Sequence, residues 1–132
     1  MTTILADHNV EGHAGLLLAT IAALGLAELL DLCLAALAEV GLAANSSDRE
    51  VWRRAQELDM LLLTANRRKR EQDSLEQTLR EELSPSSLPV LTFGDSKRFL
   101  SDRDYRSQCA ERAAEILFDL EQYHGVPRLY IP

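Results

Sequence analysis

Cysteine is scarce in this 132-residue chain: Cys33 and Cys109 stand far apart, each inside an apolar stretch. That pattern offers neither a secreted disulfide framework nor zinc-ligand spacing, and both side chains read as buried thiols. Long apolar runs are missing too. The longest uncharged stretch, Gly12 to Ala27, has 16 residues and includes His13, whereas a bilayer span needs about 20. It reads as a core helix, so no membrane association is expected. Met1-Thr2-Thr3-Ile4 carries no basic residue and no cleavage site after a hydrophobic stretch, which leaves no secretory signal and the cytoplasm as the default compartment. No Ser-His-Asp order with a nucleophile elbow, no Walker A lysine loop and no Gly-rich dinucleotide turn is present, which argues against those enzyme classes.

Positive charge is absent from residues 1–48, while eight of the fourteen basic residues fall between Arg49 and Arg80. The net charge of −7 argues against tight non-specific binding to nucleic acid, which needs a basic surface to neutralise phosphates. A substrate bridged through a metal ion remains compatible with it. The length fits one domain over residues 1–132, able to bury roughly 65–70% of the surface its unfolded form exposes.

Along the chain, Ile4-Leu5-Ala6 reads as a short strand ending at Asp7, followed by a loop and a helix that Gly25 ends. That helix is apolar on nearly every side and calls for cover from a sheet and neighbouring helices. A short strand is expected at Leu34–Ala38. Ser47-Asp48-Arg49-Glu50 is a capping box, the Ser hydroxyl and the Glu carboxylate satisfying opposite ends of one helical turn. Val51, Trp52, Ala55 and Leu58 then recur at helical spacing, and Arg53 stands i,i+4 from Glu57, suited to an ion pair.

Met60 to Thr64 is a five-residue apolar run, as in a strand buried on both faces, and is the expected central strand. Asp73-Ser74-Leu75-Glu76 signals a further helix through Leu83, ended by Ser84-Pro85-Ser86-Ser87. Pro89 to Phe93 reads as a strand, and Ser101 as the cap of a last helix whose Tyr105, Cys109, Ala113, Ile116, Leu117 and Leu120 share one face. Arg128 to Ile131 alternates as a terminal strand, whose edge, with Tyr123 and Tyr130, suits a dimer contact. The order β-α-β-α-β-α-β-α-β implies an α/β domain with a mainly parallel sheet and helices on both faces.

In such a sheet, ligands bind beyond the carboxyl ends of the strands, near the point where strand order reverses. The first strand delivers Asp7, His8 and Asn9 there; the third delivers Thr64, Ala65 and Asn66; Asp48, Asp73 and Glu76 stand at the starts of helices. Converging oxygen ligands suit Mg²⁺ or Mn²⁺, which could activate water for phosphodiester cleavage. Asp48 and Asp73 also suit helix N-termini on electrostatic grounds alone. Arg67-Arg68-Lys69-Arg70 offers phosphate contacts or a solvated loop. His13, in apolar company, reads as a satisfied, partly buried histidine.

Ile4-Leu5-Ala6-Asp7-His8-Asn9-Val10 resembles the opening of PIN-like domains of the Mut7-C and DUF5615 type, which begin with a strand ending in Asp-Glu-Asn. Gly41 onward, with Ser47-Asp48-Arg49-Glu50 and then Leu61-Leu62-Leu63-Thr64-Ala65-Asn66, is similar to that family's helix followed by a strand ending in Thr-x-Asp. The likeness covers about the first 70 residues, and the remainder, with Asp73-Ser74-Leu75-Glu76 and Gly125 to Pro132, looks like a cyanobacterial group of PIN-like proteins. The resemblance implies a three-layer α/β/α domain and a Mg²⁺-dependent ribonuclease site of three or four acids. It carries over Asp7, Asp48 and, at the third acid's place, Asn66. With Asp73 and Glu76 added from their own positions at the cleft, the expected catalytic acids are Asp7, Asp48 and Asp73 and the expected metal ligands Asp7, Asn66, Asp73 and Glu76. Asn9, Thr64, Arg67, Arg68 and Arg70, beside the cleft, are the expected substrate contacts, with single-stranded RNA as the substrate. His8 replaces the family's Glu. Asn66 replaces its third acid and brings no negative charge, a gap that Asp73 or Glu76 would fill. The alternative is a non-catalytic PIN-like interaction or regulatory module, acting on a protein partner or as a homo-oligomer.

Overall fold

The computed structural model describes residues 1–65 and 74–132. Five strands run in parallel: β1 (Thr2–Ala6), β2 (Leu32–Ala36), β3 (Leu61–Ala65), β4 (Val90–Phe93) and β5 (Arg128–Ile131), in the order β2-β1-β3-β4-β5. Between them lie α1 (Glu11–Ala23), α2 (Ala27–Leu30), α3 (Asp48–Glu57), α4 (Leu75–Glu82), α5 (Ser96–Ser101) and α6 (Arg103–Phe118). The sheet was expected to be mainly parallel and is entirely so, and β3 stands at its centre.

Strand alternation divides the sheet between two cores. Ile4, Ala6, Leu61, Leu63, Leu91, Phe93 and Ile131 face α1, α5 and α6, whereas Leu5, Ala35, Leu62 and Val90 face α3 and α4. This is the three-layer α/β/α arrangement expected from the sequence. Among the described residues, no helix is long and apolar enough to cross a membrane.

Several local expectations are met. Ser47 accepts the Glu50 N–H while Glu50 bonds the Ser47 N–H, closing the capping box. Trp52 is buried, and His13 lies against Phe93 and Phe99 with its Nε2 3.1 Å from the Ser96 carbonyl oxygen. Cys109 is buried, and burial pushes its thiol up to about 11, so it stays protonated at neutral pH.

Other expectations shift. Strand β2 begins two residues before the expected Leu34, because Asp31 ends α2 in the left-handed conformation (φ 47°) and turns the chain straight into the sheet. Ser101 is the last residue of α5, and the cap of α6 is Asp102, whose carboxylate accepts the N–H groups of Asp104 and Tyr105. Helix α1 buries only Ala14, Leu17 and Ile21 fully; Ala19, Ala22 and Ala23 stay exposed, small enough to show water little apolar area. Cys33 is half-buried on the edge strand β2. Arg53 pairs with Glu82 of α4, and it is Arg54 that pairs with Glu57.

At the end of β4, a Cβ on Gly94 would lie 2.5 Å from the Pro132 carbonyl oxygen, which also accepts the Tyr105 hydroxyl at 2.7 Å. Gly94→Ala must therefore displace the end of β5, at an expected cost of about 1–3 kcal/mol. A lowered urea midpoint would bear this out, and an unchanged midpoint would mean that the contact yields freely.

Candidate functional site

Connections after β1 and β3 run in opposite directions along the sheet, so the carboxyl ends of these two neighbouring strands form its switch point. Asp7 follows β1 directly. Its N–H continues the ladder to the Leu63 carbonyl at 3.0 Å, and its Oδ1 accepts the His8 N–H at 2.8 Å, capping the short turn His8–Val10. The residue is 8% exposed.

Asp48 opens α3. Its Oδ2 accepts the Leu75 N–H at 3.1 Å, so one carboxylate joins the first turns of α3 and α4. The two helices are clamped again at the end of α4, where Glu81 and Glu82 pair with Arg49 in the first turn of α3 and Glu82 also with Arg53. Hydrogen bonding from Arg53 holds the Glu82 carboxyl below its ordinary range.

Thr64, on β3, is buried, and its hydroxyl shares a 3.2 Å hydrogen bond with the Thr92 hydroxyl of β4. Glu76 lies in the first turn of α4, where Ser74 caps the helix by accepting the Gln77 N–H. Its Oε1 accepts from Arg128 Nη1 at 2.7 Å.

Asp7, Asp48, Thr64, Glu76 and Arg128 line one cavity of about 20 Å³, with Val51, Leu62 and Leu75 supplying apolar wall. That volume holds one water or one bare cation. Four residues expected at the site, Asp7, Asp48, Thr64 and Glu76, are thus brought together. Asn9 is exposed and is not part of the cavity lining. Asn66, Arg67, Arg68, Arg70 and Asp73 lie outside the described residues.

No protein-family model, no curated protein and no solved structure matches the chain. Among the described residues, no three of His, Cys, Asp and Glu are grouped to hold a metal ion. The donor set that lines the cavity, two aspartates and a threonine hydroxyl, is nevertheless of the oxygen type that hard cations prefer. Glu76 is already engaged by a guanidinium.

Sequence reading missed Arg128. The residue stands opposite Val90 in the parallel pairing of β4 and β5, which puts it on the same face as Thr92 and Thr64. A charge at the head of an otherwise apolar strand was the available signal, but its direction depends on that long-range register.

Proposed function

We propose that this chain is a PIN-like, metal-dependent phosphodiesterase acting on RNA, with Asp7 as the principal cation ligand and Asp48 beside it. The observation that carries the reading is the meeting of Asp7 and Asp48 in one ion-sized cavity at the switch point of the sheet. The likeness of Ile4–Val10 and Leu61–Asn66 to PIN-like segments supports it from the sequence side.

When bound, Mg²⁺ or Mn²⁺ would supply charge stabilisation at the phosphodiester and lower the pKa of an attacking water. The chain's own residues set the stage. Asp7 is fixed by the His8 N–H and by its place in the ladder, and Asp48 by the Leu75 N–H, so both carboxylates are oriented before any ligand arrives. Val51, Leu62 and Leu75 limit water around them. Thr64, tied to Thr92, presents a hydroxyl whose rotamer is restrained.

One observation favours the rival reading of a non-catalytic interaction module: Glu76 is paired with Arg128. The discriminating experiment is incubation of labelled single-stranded RNA and DNA with the purified chain in Mn²⁺, in Mg²⁺ and in excess EDTA. Cleavage that appears with metal and vanishes with chelator is expected. Absence of cleavage under all conditions would replace the enzyme by the module.

A further inference from the structure

Arg128 is a strand residue with unusual surroundings. Its side chain is 15% exposed, and its one hydrogen bond among the described residues goes from Nη1 to Glu76. Its Nε is buried, without an acceptor among the described residues. A buried guanidinium donor left unpaired is costly, and such an orphan calls for an explanation, of which a missing anionic ligand is one.

Arg128 and Glu76 also line a second, open groove of about 600 Å³ that adjoins the small cavity. Its other walls are Leu79, Leu83 and Pro127, with Arg80 at the surface. The groove therefore joins two guanidinium groups to an apolar floor, in a chain whose net charge is −7. Guanidinium forks match phosphate oxygens, and apolar side chains suit unstacked bases.

We infer that Arg128 is a phosphate-binding residue held ready by Glu76, and that the groove beside α4 carries the single strand whose phosphodiester it grips. The inference deepens the phosphodiesterase reading and rests on it for the nature of the ligand. Glu76, 45% exposed, stands where a phosphate oxygen would stand. Ligand binding exchanges the anionic partner of Arg128 Nη1 for another and supplies Nε with the acceptor it lacks. Arg80 meets a neighbouring phosphate.

The test is fluorescence anisotropy of a labelled uridylate octamer with the full chain in EDTA, where no metal-dependent cleavage intervenes. Arg128→Gln is expected to weaken binding about 10-fold or more. Arg128→Lys should recover part of the loss, and Glu76→Gln should strengthen binding several-fold by removing the competitor. Thermal melts of each variant separate lost binding from lost folding. Unchanged affinity in a folded Arg128→Gln protein, weaker binding in Glu76→Gln, or no octamer binding by the wild type would each overturn the proposal. Binding of inorganic phosphate without the octamer would overturn it too, making the ligand a free anion. The phosphodiesterase reading fails separately, if binding depends on Arg128 while the wild type cleaves nothing in Mn²⁺.

Discussion

Asp7→Asn is expected to lower metal-dependent cleavage about 100-fold or more, since each tenfold corresponds to about 1.4 kcal/mol of transition-state stabilisation and a cation's hold on its ligand supplies several times that. The substitution is chosen because it changes little else. Asparagine keeps the shape of the side chain and an oxygen able to accept the His8 N–H, so the turn His8–Val10 retains its cap. The negative charge goes, and one acceptor oxygen becomes a donor NH2. The loss should shrink when Mn²⁺ is raised, because a weakened ligand set is refilled by mass action. Cleavage rates across a metal titration, with circular dichroism to establish the fold, measure both effects. Full activity in the variant would assign the cleavage to another residue or to a contaminant, and the site would have to be moved.

Phe93→Ala carries the largest expected effect on stability. Phe93 ends β4 on the α1, α5 and α6 side, is fully buried, and packs against Phe99 at 4.7 Å between ring centroids and His13 at 5.5 Å. Removing the ring leaves a cavity between sheet and helices that neither His13, held to Ser96, nor Phe99 is free to fill. Such substitutions cost about 3–5 kcal/mol, against a total near 5–15 kcal/mol for a domain. A fall in melting temperature of about 10–20 °C follows. Phe118→Ala is the control: Phe118 is half-exposed at the end of α6, and its loss should stay within about 0.5 kcal/mol. Equal losses from the two variants would contradict the burial of Phe93.

Sequence patterning revealed the fold where the signal was local. The capping box at Ser47, the five-residue apolar run of β3 and the shared face of α6 each depend on neighbours within a few residues. Helix α5 escaped because six residues between Asp95 and Asp102 are too few to display a helical period. The start of β2 was displaced because Leu32 to Val40 is all alanine, leucine and valine apart from Cys33 and Glu39, with no polar alternation to mark its limits. At the site, Asp7, Asp48, Thr64 and Glu76 were legible from the rule that strand ends and helix starts converge. Arg128 was not, since its place depends on how β5 registers against β4, a pairing between segments nearly forty residues apart.

Among the described residues, strand β5 has a neighbour on one side only. Its far end is fastened by Ile131 in the core and by Tyr105 at Pro132, but Arg128 is its first residue, preceded by the exposed Pro127. Local opening free energies in a protein range from near zero at frayed edges to the global value in the core. On that scale the head of β5, an edge strand held by the Val90 N–H on the Pro127 carbonyl and by Glu76, is expected to open before the interior strand β1 that leads into Asp7. Fraying at the head of β5 would withdraw the positive charge while leaving both aspartates in place, so that the two halves of the site keep separate clocks.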